Sequence, residues 1–523
     1  MSVARVACRA QLGLQAPLVQ VEVSLASGLP AFCIVGLAAT VVKEAKERVR
    51  AALVNSRFEF PAGRITVSLA PAELPKEGGR FDLPIALGIL IASGQIRVAS
   101  GAASRAAARE FYGELALNGE LKPVRGLLLA AVHARRQGHE IIVPHDNAAE
   151  ARAVAPVLTR AAGHLLEVCG HLSGAAPLPA ECEPACEPRR GAPGALHGPP
   201  DLREVRGQLQ AKRALVIAAA GAHSLLLVGP PGVGKSMLAQ RLPGLLSPLT
   251  ESESLEVAAI AAVSAGGFAA DRFGERPFRA PHHSASIAAL VGGGAHARPG
   301  EVSLAHHGVL FLDELPEFAR PALEALREPL ESGSVAVARA ALAVRYPAAF
   351  QLIAAMNPCP CGRLGDPGGS CRCTPPQIAR YRARISGPLL DRIDMHVDVP
   401  PLEASEFAAP PDGETSAAAA ARIARARRLQ HARQRTVNAR LGDAAVERWC
   451  APDREGARLL EAAMRRLSFS GRARQRLLKL ARTIADLEGA ATVAATHVAE
   501  AVMLRCLERG PIAPSAPCDR RPA

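Results

Sequence analysis

A glycine-rich segment in the middle of the chain has residue types and spacing suited to binding a nucleotide. Its residues are Gly229, Pro230, Pro231, Gly232, Val233, Gly234, Lys235 and Ser236. They match the pattern G-x-x-x-x-G-K-[ST] and lie between an apolar strand-like run and a helix-like one, as a phosphate-binding loop requires. Backbone N–H groups and the helix N-terminus would then face the phosphates of ATP. We expect Lys235 to reach the β- and γ-phosphates and the Ser236 hydroxyl to bind Mg²⁺.

Two carboxylates follow the apolar run at residues 309–312 and could complete a hydrolytic site. If that run is a buried strand, its carboxyl end delivers Asp313 to the Mg²⁺ and places Glu314 to polarise an attacking water. An acidic pair at a strand end can also be a simple cap. Beside a phosphate-binding loop, however, the pair favours ATP hydrolysis as the reaction.

Two further polar residues could act on the same phosphates. Asn357 follows the strand-like run at residues 351–355, where an uncharged side chain can orient the water or sense the γ-phosphate. The alternative is a turn formed by Asn-Pro. Arg392 stands beside the acidic residues Asp391 and Asp394. It could pair within its own subunit or reach the γ-phosphate bound by a neighbouring subunit, as an arginine finger does.

Four of the twelve cysteines fall within fifteen residues, at Cys359, Cys361, Cys371 and Cys373. In a cytosolic chain such a cluster suggests metal before disulfides, and four thiolates could hold a structural Zn²⁺. Their C-x-C spacing is less usual than C-x-x-C, so a reduced, glycine-rich hairpin without metal is the alternative. A separate pair at residues 182 and 186 has no second pair nearby, and we interpret it as two linker thiols.

Positive charge is concentrated in the last quarter of the chain. The whole sequence has a net charge of +13, and residues 401–523 contain 21 basic and 14 acidic residues. Phosphate contacts need only charge, so a basic helix surface would bind DNA without reading its sequence. Aromatic residues make up only 3% of the chain, so base stacking would not dominate. The candidate DNA contacts are Arg422, Arg425, Arg428 and Arg435, with a second basic group at residues 465–482. A solvated surface and subunit contacts are the alternatives.

The order of strand-like and helix-like runs around these residues predicts a multidomain α/β chain. The first part mixes strand-like and helix-like runs, the next is rich in Pro, Ala and Gly, and the third alternates helices with apolar strands, which indicates a parallel sheet. The predicted divisions are residues 1–170 for an α+β domain, 171–200 for a linker, 201–400 for the parallel-sheet core with a cysteine-rich insert at 357–375, 401–511 for a helical lid and 512–523 for a tail. Within the lid, the pattern predicts helices at residues 417–441, 453–467, 471–487 and 496–509.

No apolar run in the sequence offers the roughly 20 clean residues that a membrane span needs. The two longest candidates, residues 83–92 and 214–228, are too short or contain polar side chains. The N-terminal residues also lack the apolar core and cleavage site of a secretory signal. We therefore expect a cytoplasmic protein that does not associate with membranes.

Several long segments resemble one protein family. They are FCIVGLAATVVKEAKERVRAAL at residues 32–53, RAPHHSAS at 279–286, VGGGAHARPGEVSLAHHGVLFLDELPEF at 291–318, AAMNPCPCG at 354–362 and ARTIADLEG at 481–489. Over nearly the whole chain, and in the same order, they are similar to the ComM/YifB family of magnesium-chelatase-like AAA+ ATPases. One departure is His307, where relatives commonly carry Asn.

The resemblance implies a ring-forming ATPase that works on DNA. It implies a AAA+ module that assembles into a homo-hexamer, with Asn357 as a first sensor, Arg392 as the finger acting in trans and Arg472 as a second sensor on the lid. The implied activity is ATP-driven unwinding and branch migration, which extends the integration of incoming single strands during natural transformation and recombination. The implied partners are single-stranded and branched DNA, and recombination proteins could join them.

The resemblance also implies that the first domain is like that of Lon-type proteases, which use a Ser/Lys dyad. Residues 76–84, where the nucleophile is expected, contain no serine, and residues 123–129 have leucine where the lysine should stand. Because a dyad needs both groups within hydrogen-bond reach, we expect no peptidase activity from this domain.

Two functions fit these features. The leading hypothesis is a helicase or branch-migration motor driven by Mg-ATP. The alternative is a protein-remodelling or chelatase-type ATPase that acts on a protein partner. The basic last quarter of the chain favours the DNA motor.

Overall fold

The computed structural model describes residues 2–36, 40–74, 76, 78–99, 109–179, 200–294, 297–339, 342–365, 371–402, 406, 413–467, 469–505 and 507. The chain divides into two compact units. The first unit contains the described residues up to 179 together with residues 250–275, and the second contains residues 200–249 and those from 276 onward. Residues 180–199 of the expected linker and the whole expected tail lie outside the described residues.

The described residues contain both strands and helices until about residue 400, after which the described elements are helical. The strands are β1 Ser2–Arg9, β2 Leu18–Ala26, β3 Ala31–Val35, β4 Arg64–Ala70, β5 Arg109–Phe111, β6 Glu114–Leu115, β7 Leu121–Lys122, β8 Glu140–Pro144, β9 Thr159–Ala162, β10 Leu225–Val228, β11 Phe278–Arg279, β12 Gly292–Gly293, β13 Arg298–Pro299, β14 Val309–Leu312, β15 Ser334–Arg339, β16 Leu342–Pro347, β17 Gln351–Met356 and β18 Met395–Asp398. The α-helices are α1 Thr40–Asn55, α2 Asp82–Ala92, α3 Leu127–Gln137, α4 Ala148–Arg152, α5 Leu165–Ser173, α6 Leu209–Gly221, α7 Lys235–Leu245, α8 Glu251–Val263, α9 Ile287–Val291, α10 Glu301–Leu304, α11 Arg320–Ala325, α12 Arg327–Ser332, α13 Pro375–Arg382, α14 Gly387–Leu390, α15 Ser416–Gln434, α16 Asp443–Trp449, α17 Arg454–Leu467, α18 Gly471–Glu488 and α19 Ala495–Met503.

The first unit is built on a mixed sheet. Among the described residues its seven strands lie in the order β3-β4-β2-β1-β5-β8-β9, with β2 antiparallel to both neighbours and the other pairs parallel. Along β2, the buried residues Val19, Val21 and Val23 alternate with more exposed ones, as expected for a strand with one face on the core. The almost wholly buried helix α2 packs against β1 and β2 and covers that face.

Helix α8 belongs to the first unit although it follows the phosphate-binding segment along the chain. Ala258 and Ala262 of α8 join the core of this unit, and Glu251 forms an ion pair with Arg135 of α3 at 2.8 Å. The divisions drawn from the sequence place residues 250–275 within a continuous core at residues 201–400, whereas the structure assigns them to the first unit. Periodicity indicates that a segment is helical, but it does not indicate which core the helix covers.

The second unit contains the expected parallel sheet. Its described strands lie in the order β11-β14-β17-β10-β18, and each neighbouring pair is parallel. β10 and β14 are buried along their whole lengths, which explains why their sequences are continuous apolar runs. Helix α6 packs on β10, and α7 packs on β14 and β17.

The C-terminal part of the second unit is helical, as expected. Helix α15 packs against α6, α7 and α18. The helix expected at residues 417–441 ends earlier, at Gln434, where Arg435 adopts a left-handed conformation with φ of 60°. The helix expected at residues 496–509 ends at Met503, and residues 508 and 509 are not among those described. In the described ranges, no helix combines the length and apolar character that a bilayer span demands.

Asp394 links the parallel sheet to helix α18. Its carboxylate accepts a hydrogen bond from the backbone N–H of Ser224 at 3.1 Å and pairs with His223 at 3.3 Å and Arg476 at 2.5 Å. His223 also bonds to Thr483 of α18 at 2.7 Å. Burial by itself would raise the pKa of Asp394, but Arg476 and His223 outweigh it and hold the pKa below its usual value.

We expect Asp394→Asn to lower the free energy of unfolding by about 3 kcal/mol at pH 7, since it removes one partner of a buried ion pair. Because the folded pKa lies below the ordinary value of 3.8, this contribution is complete at neutral pH and decreases as the pH falls below about 4. Denaturant unfolding of both proteins at neutral and acidic pH measures it. The half-buried neighbour Asp391→Asn serves as the control and should change stability by less than about 0.5 kcal/mol. Equal stability of Asp394→Asn and the wild type at pH 7 would contradict this role.

Candidate nucleotide-binding site

The glycine-rich segment lies between β10 and α7, as its pattern predicts. β10 ends at Val228 and α7 begins at Lys235. Gly232 and Gly234 have φ of 82° and 92°, a backbone region that L side chains rarely adopt. The chain can therefore turn sharply here and direct successive N–H groups toward one point, which suits phosphate oxygens.

Lys235 and Asn357 meet at the ends of the adjacent strands β10 and β17. The Lys235 Nζ donates to the carbonyl oxygens of Gly229 and Pro230 at 2.7 Å each and to Oδ1 of Asn357 at 3.2 Å. Burial lowers the pKa of Lys235, while the carboxylates of Asp313 and Glu314 act in the opposite direction. The structure thus brings the loop lysine and the expected first sensor into direct contact.

Ser236 and Asp313 form a second contact at the same edge of the sheet. The Ser236 Oγ donates to Oδ2 of Asp313 at 2.6 Å. Asp313 directly follows β14, and its other carboxylate oxygen accepts from the backbone N–H of Glu314 at 2.9 Å. A hydroxyl and a carboxylate held this close are hard oxygen donors of the kind Mg²⁺ prefers, so the residues present fit the expected ion.

Glu314 contacts a residue that sequence reasoning did not single out. Its side chain is 53% exposed, and one carboxylate oxygen lies 3.1 Å from Nδ1 of His283. His283 follows β11, which pairs with β14 in the sheet, so the two loops leave the same edge side by side. The signal in the sequence is a pair of histidines after a short strand, but only the strand order relates them to Glu314.

Arg392 and Arg472, the two arginines expected to sense nucleotide, lie apart from these contacts. Arg392 is only 6% exposed; it donates to the carbonyl oxygen of Pro388 at 2.6 Å and pairs with Glu331. Its expected acidic neighbour Asp394 pairs with Arg476 instead. Arg472 is exposed in the first turn of α18. Among the described residues, no hydrogen bond or ion pair joins either arginine to residues 229–236.

His307, the one departure noted from the family pattern, sits in a left-handed conformation with φ of 55°. Asn and His are both enriched in that backbone region, so the two residues are interchangeable in conformation. The His307 N–H donates to the carbonyl oxygen of Ala349 at 3.1 Å through the backbone, a contact that does not depend on the side chain.

The four clustered cysteines converge in space. Their sulfur atoms all lie within 4.8 Å of one another, and Cys359 Sγ is 3.4 Å from Cys361 Sγ and 3.7 Å from Cys371 Sγ. A tetrahedral Zn²⁺ with bonds of 2.3 Å requires sulfur atoms about 3.8 Å apart. The thiols are free, so the arrangement fits a metal rather than disulfides. A backbone hydrogen bond from Arg363 and a hydrogen bond from the Cys359 thiol lower the pKa of Cys361 to about 6.

The candidate DNA-binding arginines fall into two groups. Arg425, Arg428 and Arg435 are exposed, whereas Arg422 pairs with Glu414 at 2.6 Å. Other arginines of the same stretch serve the fold: Arg433 pairs with Asp486 at 2.8 Å, and Arg427 donates to the carbonyl oxygen of Ala219. The second basic group divides in the same way. Its exposed members are Arg465, Arg466, Arg472 and Arg474, and its members with internal partners are Arg476, Lys479 and Arg482.

The two segments expected to carry a dyad meet in the first unit, but without dyad chemistry. Arg80 donates to the carbonyl oxygen of Arg125, which joins residues 76–84 to residues 123–129. Asp82, the first residue of α2, is buried against Arg48. Burial raises the pKa of Asp82 to about 6, although Arg48 opposes the shift.

Family models match the chain in three consecutive parts. Residues 21–147 match the model described as subunit ChlI of Mg-chelatase, residues 201–407 match magnesium chelatase, subunit ChlI, and residues 413–505 match the C-terminal part of that subunit. Together the matches include the strands, loops and helices that form the site.

Relatives match over nearly the full length. The chain is 49% identical over 512 residues to protein YifB of Salmonella typhimurium, covering 97% of this chain and 98% of that one. It is 48% identical over 510 residues to competence protein ComM of Haemophilus influenzae, with the same coverage. It is 42% identical over 513 residues to a protein of Mycobacterium tuberculosis, covering 97% of this chain and 99% of that one.

We expect Ser236→Ala to raise the Mg²⁺ concentration needed for half-maximal ATP hydrolysis by about tenfold or more, because it removes one oxygen donor and the hydrogen bond that orients Asp313. Titration of Mg²⁺ at fixed ATP measures the effect. Ser247→Ala, just beyond the end of α7 and half-buried, is the matched control. An unchanged Mg²⁺ requirement in Ser236→Ala would remove this serine from the metal site.

Proposed function

Because this chain belongs to the magnesium-chelatase-like AAA+ ATPases of the ComM/YifB family, we propose that it is an ATP-driven DNA motor. It unwinds DNA and moves branch points, and so extends the integration of incoming single strands during natural transformation and recombination. The observation that carries the proposal is a group of exposed arginines, Arg425 and Arg428 on α15 and Arg435 directly after it, in the same unit as an assembled nucleotide site. The ComM relative is named as a competence protein, which points to the same process.

The residues of the nucleotide site have distinct roles in this proposal. Mg-ATP supplies the phosphoanhydride bond whose hydrolysis drives the motor. Lys235 binds the β- and γ-phosphates, and Ser236 and Asp313 hold the Mg²⁺. Glu314 accepts a proton from the attacking water, and Asn357, beside Lys235, orients that water or senses the γ-phosphate.

The proposed assembly is a homo-hexamer in which neighbouring subunits complete each site. In that ring Arg392 is the finger that reaches a neighbour's γ-phosphate, and Arg472 is the second sensor. Arg392 must then exchange its partner Glu331, which is itself 52% exposed, for the phosphate of the adjacent subunit. The exposed position of Arg472 at the start of α18 suits a residue that acts on a nucleotide from the lid.

The proposed DNA contacts are the exposed Arg425, Arg428 and Arg435, with Arg422 beside them. Arg425 and Arg428 are three residues apart and therefore lie on one side of α15. Neighbouring arginines point inward to carbonyl and carboxylate partners, so the outward ones contribute little to the fold. Such a surface binds single-stranded and branched DNA by charge, without reading the sequence.

We expect replacement of Arg425 and Arg428 together by alanine to weaken binding of single-stranded DNA. Each lost phosphate contact should reduce the slope of log affinity against log salt by about 0.7. Fluorescence anisotropy at several salt concentrations measures both quantities. Arg64→Ala, an exposed arginine of the first unit, is the control for loss of charge alone. If the double variant keeps the wild-type slope, α15 is not the DNA surface.

The remaining features complete the proposal. The first unit is a Lon-like domain without its dyad, which stabilises the ring or guides DNA and recombination proteins. The four clustered cysteines hold one structural Zn²⁺, supported by sulfur atoms at near-tetrahedral spacing. The protein acts in the cytoplasm, without a membrane partner.

A second candidate function is protein remodelling or a chelatase-type reaction driven by the same ATP site. The family models, which describe a magnesium chelatase subunit, favour it. The rate of ATP hydrolysis with and without DNA distinguishes the two functions, because a remodelling ATPase should hydrolyse ATP at the same rate in both cases.

The experiment that tests the motor is branch migration of a synthetic four-way junction with Mg-ATP. We expect the wild type to move the branch point and separate the junction into its duplex products, and Glu314→Gln to leave the junction intact. ATP hydrolysis by Glu314→Gln should be lower by about a hundredfold or more, because the general base is lost. Glu317→Gln, an exposed carboxylate three residues away that pairs with Arg384, is the matched control. A wild type that hydrolyses ATP but leaves every junction intact would overturn the motor in favour of remodelling.

A further inference from the structure

The four cysteines form a compact knuckle, residues 358–362 and 371–373, that is continuous in sequence with the nucleotide site. The first of these residues follows Asn357, which bonds to Lys235 at the edge of the sheet. Cys359 is fully buried and Cys361 is exposed, so the knuckle presents one side to the protein and the other to solvent. The N–H of Gly362 donates to the carbonyl oxygen of Cys359 at 2.9 Å and closes the turn.

The inner side of the knuckle rests on the phosphate-binding loop. A Cβ atom at Gly362 would lie 2.7 Å from Cδ of Pro231 and 3.7 Å from Cγ of Asn357. The Pro231 Cδ belongs to a ring fused to the backbone, so it cannot move aside without moving the loop itself. Gly362 therefore lies where the knuckle touches both the loop and the expected first sensor.

Helix α13 braces the knuckle from another direction. The helix starts directly after Thr374, which caps it and follows Cys373. At its other end, Arg382 donates from two nitrogens to the carbonyl oxygen of Pro358, at 3.3 Å each. Tyr381 is buried beside it and interacts with the backbone of Asn357. Helix α13 thus holds the knuckle at Pro358, and the knuckle contacts the phosphate-binding loop at Gly362.

We propose that the Zn²⁺ knuckle is a wall of the nucleotide site, so that the metal maintains ATP affinity. The inference rests on the zinc site proposed above. Four bonds from Zn²⁺ tie the turn at residues 359–362 to residues 371–373, and through them to α13. Without the metal, the turn loses its link to residues 371–373 and keeps only its own hydrogen bond and the bonds from Arg382 to Pro358 at its base. Pro231 and Asn357 then lose the rigid surface that positions them. Zinc then controls the affinity for nucleotide rather than the reaction itself.

Two glycines of the knuckle region provide a matched pair for the test. Gly362 and Gly365 both have positive φ, at 78° and 84°, so alanine introduces the same backbone strain at each. At Gly365 a Cβ atom would meet no atom of the described residues within 4 Å, whereas at Gly362 it meets Pro231. Neither substitution alters a cysteine, so both proteins should keep their zinc.

The experiment measures zinc per chain by mass spectrometry and the binding of a fluorescent ATP analogue with Mg²⁺ on the full-length protein. We expect one zinc per chain in the wild type, Gly362→Ala and Gly365→Ala. Gly362→Ala should bind the nucleotide about tenfold more weakly, since overpacking displaces the loop, and Gly365→Ala should bind like the wild type. Removal of zinc from the wild type with a chelator should weaken binding to a similar extent, and added Zn²⁺ should restore it.

Cysteine variants extend the test. Cys361→Ser with Cys371→Ser should lose zinc and nucleotide affinity together, while Cys33→Ser, a half-buried thiol of the first unit, should lose neither. Thermal unfolding identifies any variant that fails to fold, and in that case Gly362→Ala and chelation of the wild type decide the matter.

Three outcomes would overturn the inference: a wild type that contains no zinc, nucleotide binding that survives zinc removal, or wild-type affinity in Gly362→Ala. None of these outcomes contradicts the proposed DNA motor, provided that the protein still separates the junction by branch migration. Conversely, the nucleotide affinity could follow the zinc content while the protein leaves every junction intact. That result would refute the DNA motor and support the role of the zinc knuckle in nucleotide binding.

Discussion

The hydrogen-bond register between β14, β17 and β10 is the constraint on which the nucleotide site depends. Leu312 pairs with Ala354, and Met356 pairs with Val228, so the three strands end at nearly the same level. Asp313 and Asn357 then come within reach of the loop after β10, although both are far from it in sequence. A shift of one residue in any of these strands would turn its side chains to the opposite face of the sheet.

Burial of the same strands explains the electrostatics of the site. Lys235 is 8% exposed and is surrounded by carbonyl oxygens and two carboxylates. In such surroundings, charges interact more strongly than in water. A hydrogen bond fixes the positions of Ser236 and Asp313 relative to each other. The cysteine knuckle extends this rigidity to Pro231, because Gly362 packs directly against it.

The arginine-rich helices illustrate how a fold divides charge between structure and function. Within one stretch of α15, Arg433 pairs with the buried Asp486, and Arg425 points to solvent. Arg392 is held by Glu331 inside its own chain, so any action on a neighbouring subunit requires an exchange of partners. Composition alone gives the total charge, but each arginine's surroundings decide whether that charge is available to a ligand.

The sequence by itself determined the phosphate-binding loop, the strand that ends in Asp313 and Glu314, the parallel sheet and the helical C-terminal part. The patterns that predict these features are local, because apolar runs, glycine spacing and helical periodicity each extend over only a few residues. Only the tertiary structure decided that His283 faces Glu314, that α8 joins the first unit, that α15 ends at Gln434 and that the knuckle touches Pro231. These contacts join residues distant in the chain, and they depend on strand order and core packing, which no local pattern encodes.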